Sequence, residues 1–247
     1  MIVDRLIEIA LEKADNRKVA DICLGLGYTG VVLEDGSAGL AYTFRNELGN
    51  CCGAMPDAGN LIGKSSAELI PWVREKNLLK AAVGLSVINA VLNRASDPWE
   101  DGNVVNAIQI KPSETFGMVG KFSPILRQVK NMTKQLFVFE RQIEEGSGVY
   151  PADTIPLHLP HCDVVVITAT SILNHSIDDI LTSCTNAREV CIVGPSTPHC
   201  PQVFQDTPVT LLAGSIVIDA KRILPILSQG GGTKEMRPAL RHVLQRI

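Results

Sequence analysis

Hydroxyl, amide and glycine residues gather at four points in the second half of the chain, each beside a short apolar run. Thr168, Thr170, Ser171 and Asn174 follow residues 164–167, and Gly194, Ser196 and Thr197 follow residues 190–193. Gly214 and Ser215 follow residues 209–212, while Gly117 and Gly120 sit within and just after the run 115–119. Hydroxyls and amides donate to carbonyl or anionic oxygens, and glycine lets a ligand approach backbone N–H groups closely. A fifth run, 135–139, ends instead on Glu140, whose carboxylate suits a hydroxyl or a cation. Such residues also serve as turns and helix caps. Four clusters on one sheet edge exceed that need and predict a crevice outside the carboxyl ends of parallel strands.

Other candidates are weaker in pattern. Gly117-x-x-Gly120 after a strand, with Glu140 20 residues further on, has the spacing at which an acid holds a ribose hydroxyl, but the full G-x-G-x-x-G is absent. Residues 58–65 fall one glycine short of a phosphate-binding loop, and a capping box (Ser65-Ser-Ala-Glu68) already accounts for Ser65. His158, His161 and Cys162 have ligand-like spacing, as do His199 and Cys200, but the first group precedes one strand and the second follows the next. They are expected on opposite edges of the sheet, unable to share an ion. Cys51 and Cys52 are adjacent, an awkward geometry for joint tetrahedral chelation. Asn46 and Glu47 leave an N-terminal strand, and Asn89 interrupts an apolar helix; all three are candidates to reach a cleft from the N-terminal side. The glycines of Gln229-Gly-Gly-Gly-Thr233 suit either a helix C-cap or an anion nest. Neither G-x-S-x-G nor H-E-x-x-H is present.

The elements that must position these residues follow from periodicity. Residues 2–14 have helical spacing; 19–24, 30–33 and 39–44 are β-rich, the last two flanking the turn Asp35-Gly36. Helices follow from Ser65 and over 78–94, giving an α+β domain over residues 1–112. From residue 113 strands and helices alternate: strands at 115–119, 135–139, 164–167, 190–193 and 209–212, helices between, and last helices at 219–227 and 235–245. Residues 113–247 thus read as a doubly wound α/β domain with a parallel sheet.

The totals bound the function. A chain of 247 residues with net charge −3, a pI near 6.0 and only 4% aromatic residues lacks the basic and stacking surface of a nucleic-acid binder. No apolar run is long enough to span a membrane. Seven cysteines without framework spacing fit free thiols in a cytoplasmic protein.

Several short stretches carry a family resemblance: Gly27-Tyr-Thr-Gly-Val-Val32, Gly39-Leu-Ala-Tyr-Thr-Phe44, Val119-Gly-Lys-Phe-Ser-Pro124, Phe139-Glu-Arg141, residues 163–171, Val193-Gly-Pro-Ser-Thr-Pro198 and Ser228-Gln-Gly-Gly-Gly-Thr233. Through them nearly the whole chain resembles the bacterial and archaeal "Putative heavy-metal chelation" family. The resemblance implies a domain like the N-terminal domain of enolase, then a Rossmann-like domain, with a site in the cleft between them. The expectation is a protein binding a small anionic ligand, or a metal ion as its chelate, in that cleft. Two other classes stay open: an enzyme using an adenosyl or nicotinamide cofactor with Glu140 on the ribose, and a non-catalytic assembly subunit. Homo-oligomerisation is compatible with the sequence but not specified by it.

Overall fold

The computed structural model describes residues 1–49, 53–143 and 148–247; Cys51 and Cys52 lie outside them. The N-terminal part runs α1 (Ile2–Glu12), β1 (Val19–Leu24), β2 (Tyr28–Leu33), β3 (Ala38–Tyr42), α2 (Ser66–Leu69) and α3 (Leu78–Leu92). There follow β4 (Glu100–Asp101), α4 (Val104–Ile108), β5 (Thr115–Val119), α5 (Ser123–Val129), β6 (Gln135–Glu140), β7 (Tyr150–Pro151) and α6 (Ile155–His158). The chain ends with β8 (Val164–Thr168), α7 (Thr170–Leu173), α8 (Ile177–Thr182), β9 (Glu189–Val193), α9 (Pro201–Phe204), β10 (Leu211–Val217), α10 (Ala220–Ser228), α11 (Thr233–Met236) and β11 (Leu240–Arg246).

Local chemistry explains the N-terminal elements. At the β2–β3 turn Gly36 takes φ +82°, and the Asp35 carboxylate accepts from the Ser37 backbone N–H at 3.0 Å. Ser65 caps α2 with both halves of the capping box formed, and the Asn77 side chain accepts from the N–H groups of Leu79 and Lys80 to start α3. Helix α3 is apolar on every side and buried almost throughout. Its closest neighbour is β3, which it approaches at Gly39: a Cβ there would sit 2.2 Å from the Ser86 carbonyl oxygen.

Two sheets result. The smaller is antiparallel with order β1-β2-β3; the larger has eight strands in the order β4-β11-β10-β9-β8-β5-β6-β7. From β10 across to β7 neighbouring strands are parallel. The larger sheet reaches back before residue 113, because β11 pairs with Glu100–Asp101. Apolar side chains fill the space between the sheets and around α3, and a second cluster covers the other face of the parallel strands. Among the described residues no helix is long and apolar enough to cross a membrane.

The C-terminal end departs from the periodicity. Residues 235–245 are expected to be a helix, and Leu240, Val243 and Leu244 do recur at helical spacing. They instead form short α11 and strand β11, which pairs antiparallel with β10 from Leu211↔Arg246 to Val217↔Leu240. An open sheet edge satisfies a full row of backbone groups there, and tertiary pairing overrides a weak local preference. Strand β10 therefore runs to Val217, beyond the expected end at 212, and Gly214 and Ser215 lie mid-strand.

An ion network ties the amino ends of the parallel strands. Arg188, just before β9, forks onto Glu114, just before β5, at 2.6 and 2.9 Å, and also donates to the carbonyls of Ile108 and Gln109. Glu114 is 7% exposed. The Arg188 guanidinium holds its carboxyl below the usual carboxylate range. A folded-state value below the unfolded one gives stability that is fully present above about pH 4.3 and lost as pH falls through the folded value. Glu114→Gln is expected to cost about 1–2 kcal/mol at pH 7. In urea titrations the gap between variant and parent should close below pH 4; a gap unchanged with pH would show that charge is not its source.

Candidate functional site

The carboxyl ends of β5, β6, β8 and β9 open into a cavity of about 660 Å³, well within the size of small-molecule sites. The opposite wall comes from the small sheet and the segment after it: Tyr28, Tyr42, Phe44, Asn46 and Glu47. Strand order explains the place. The chain leaves β5 towards β6 and β7, then returns to β8 on the other side, so connections diverge between β5 and β8.

On the parallel-sheet side, Gly120 turns the chain out of β5 with φ +86°, and a Cβ there would meet the Thr168 side chain at 2.8 Å. The hydroxyls of Thr168 and Thr170 lie 2.9 Å apart, and the Ser171 hydroxyl donates to the Thr168 carbonyl at 2.7 Å. Asn174 Oδ1 accepts from both the N–H and the hydroxyl of Ser176. Gly194 has φ +123° and its backbone N–H is held by the Ala213 carbonyl at 3.0 Å, with the Phe122 ring passing 3.6 Å from where a Cβ would be. Glu140 ends β6 and accepts the backbone N–H of Lys121 with Oε1. Its Oε2 makes no hydrogen bond among the described residues.

The small sheet is fastened to this rim. Ser196 accepts the Tyr42 backbone N–H at 2.9 Å, and the Asn89 amide bridges the carbonyls of Leu40 and Ser196 at 2.8 and 3.1 Å. Arg141 forks onto Glu47, both bonds at 3.0 Å, with its guanidinium 5.8 Å from the Phe44 ring centre. Tyr28, Tyr42 and Phe44 pack edge to face in series. Burial, with Tyr42 beside it, pushes the Tyr28 phenol up to about 12, so it stays protonated as a hydrogen-bond donor.

Of the expected residues, Gly120, Glu140, Thr168, Thr170, Ser171, Asn174, Gly194, Ser196, Asn46 and Glu47 line this cavity together. The other five do not line it. Gly117 faces Leu159 and Cys162 inside β5's packing, and Thr197 is buried, its hydroxyl donating to the Ala213 carbonyl. Gly214 packs under the His199 ring, and the Ser215 hydroxyl meets His242 at 3.1 Å. Asn89 works from behind the wall, by fixing Ser196. Sequence reasoning did not single out Tyr28, Tyr42, Lys121, Phe122, Asp153 or Asp179 as site residues, although they line the cavity. The register pair Tyr28↔Tyr42 across the hairpin was the available signal.

The glycine run resolves to a cap: Gly230, at φ +77°, and Gly231 donate to the carbonyls of Leu227 and Ile226 at the end of α10. The metal-ligand types are dispersed. Among the described residues no group of three or more His, Cys, Asp and Glu side chains is arranged to hold an ion. His158 stacks on Phe137, and burial drives the thiols of Cys162 and Cys184 up to about 12. The described residues do not fit a directly ligated soft metal ion.

Fold and site together define a mixed α/β protein, with a ligand-sized cavity walled by a mostly parallel eight-stranded sheet and a small antiparallel one. Two family models, both described as "Putative heavy-metal chelation", match residues 7–92 and 103–245, and the chain belongs to that family. Its membership supports a role in metal binding. An uncharacterised protein of Methanocaldococcus jannaschii is 27% identical over 233 residues, which is 90% of this chain and 88% of the relative. A crystal structure of a protein of unknown function from Pyrococcus horikoshii, in the family of the C-terminal model, superposes with a TM-score of 0.86 at 25% identity over 100% of both chains. Another from Desulfitobacterium hafniense gives 0.83 at 24% identity, covering 99% of this chain and 98% of that one, and shows the same fold.

Proposed function

We propose that the protein binds a metal as its small-molecule chelate in the cavity between the two sheets. The carrying observation is the chemistry of the lining: among the described residues it offers hydroxyls, amides, carboxylates and aromatic rings, with no thiol and no imidazole. Such walls recognise the organic periphery of a chelator, whose oxygens meet Thr168, Thr170, Ser171 and Asn174, while the metal stays within the chelator. Charge favours this over a free anion. Among the described lining residues Glu47, Glu140, Asp153 and Asp179 stand against Lys121 and Arg141, four acids to two bases, a formal −2. Family membership supports the metal component.

The test is thermal unfolding against divalent metals, the same metals as chelates, and phosphate. A ligand at 100 times its Kd stabilises by about 2.7 kcal/mol, a rise of roughly 5–10 °C for a chain of this size. The expected result is a rise with a chelate, not with the bare ion, that Thr170→Val reduces at least severalfold in affinity by removing one hydroxyl. A response to bare metal alone would move the site elsewhere; no response to any member would leave the assembly reading to test.

A further inference from the structure

We infer that this cavity holds the ribosyl group of a nucleoside-class compound, its vicinal diol donating to Glu140, and that it disfavours the corresponding nucleotide phosphate. The inference rests on the cavity being a ligand site, as proposed above, and not on the ligand carrying a metal.

Glu140 stands at the carboxyl end of the strand beside β5, next to the point where the connections diverge. Carboxylates so placed in open α/β sheets accept ribose hydroxyls. Its two oxygens are already differentiated. Oε1 is held by the Lys121 N–H, which fixes the carboxylate against the Gly120 turn, and Oε2 is left for a ligand in the cavity it lines. A vicinal diol presents two O–H donors to such an acceptor. Phe122 and Phe44 supply flat apolar surface at opposite walls for a base.

The same turn is poorly made for phosphate. The helix behind it, α5, is only seven residues long and opens on Ser123-Pro124, so one of its first N–H groups is missing. Of the two cations among the described lining residues, Arg141 is engaged by Glu47 in a bidentate pair. The remaining acids add repulsion to any phosphate placed near them.

The experiment is calorimetric titration of the full chain, in metal-free buffer, with adenosine, guanosine, cytidine and uridine, their 2′-deoxy and 3′-deoxy forms, and the 5′-monophosphates. At least one ribonucleoside is expected to bind, with either deoxy form about tenfold weaker or more, the loss for one hydrogen bond to a charged acceptor. Its monophosphate should bind more weakly than the nucleoside. Glu140→Gln keeps a carbonyl for the Lys121 N–H and should erase the discrimination between ribo and deoxy forms, with circular dichroism confirming the fold. If that variant does not fold, the deoxy series on the parent chain decides alone. Absence of binding by all four ribonucleosides, equal binding of deoxy forms, or tighter binding of the monophosphate would overturn the inference. Nucleoside binding without any response to metal chelates would remove the chelate reading and leave this one; a chelate response without nucleoside binding would do the reverse.

Discussion

Gly39→Ala is expected to lower stability by about 3 kcal/mol or more, a fall of roughly 6–12 °C in Tm for a chain of this length. The new methyl would lie 2.2 Å from the Ser86 carbonyl oxygen, 2.3 Å from the Ala90 nitrogen and 2.7 Å from the Asn89 carbonyl carbon. All three are backbone atoms of α3, so no side chain can turn aside to make room. The helix must retreat from β3, and the retreat carries Asn89 with it. Asn89 is 1% exposed, and its amide holds both Leu40 and Ser196. The same substitution should therefore weaken binding in the cavity even where the protein still folds. Gly27→Ala is the matched control: a Cβ there meets no atom of the described residues within 4 Å and the backbone needs no left-handed angle, so a change within about 0.5 kcal/mol is expected. Urea denaturation of both variants decides it, and a Gly39→Ala protein as stable as the parent would refute the close approach of helix and strand.

The second large effect is one of pH. His199 is 5% exposed, its ring packed against Trp99 with a centroid distance of 5.0 Å and against the backbone of Gly214. Among the described residues neither ring nitrogen makes a well-formed hydrogen bond. Burial drives its pKa down to about 4, with the Gln245 side chain offsetting only part of that cost. The unfolded chain takes up this proton near pH 6.5, while the folded chain does not until about pH 4. The contribution is therefore full above pH 6.5 and is lost progressively as pH falls to about 4, a change on the order of 3 kcal/mol. His199→Leu removes the titrating group and both unpaired nitrogens. Its stability profile between pH 6.5 and 4 should be flatter than the parent's by about that amount. Parallel profiles would show that the acid sensitivity lies elsewhere, and Glu114, with its effect confined below pH 4.3, is separable by range.

What was legible in the sequence was what depends on near neighbours. The Ser65 capping box, the Asp35-Gly36 turn and the buried runs that became β5, β6, β8 and β9 are each written within a few residues. So is the rim, because strand ends in a parallel sheet fall on one edge by geometry alone. The far wall was hidden for the opposite reason. Tyr28 and Tyr42 face the cavity only because the hairpin registers them and Ser196 receives the Tyr42 N–H across more than half the chain. Strand β11 was hidden because its apolar residues repeat as in a helix, and only the open edge of β10 makes a strand the better solution. With β10 extended by that pairing, Gly214 and Ser215 left the rim.

Helix α10 has a bearing on how this protein can be handled. It lies against β1 and β2, and Leu224 and Leu227 fill a cluster with Leu40 and Ala38. Gly30 sits so close beneath Leu227 that a Cβ would come within 2.5 Å of its side chain. The small sheet, made early in synthesis, thus waits for a helix made near the end before its outer face is covered. An excised fragment stopping before residue 220 would present that apolar face to solvent and self-associate through it, whereas one co-expressed with the later segment should recover a soluble complex.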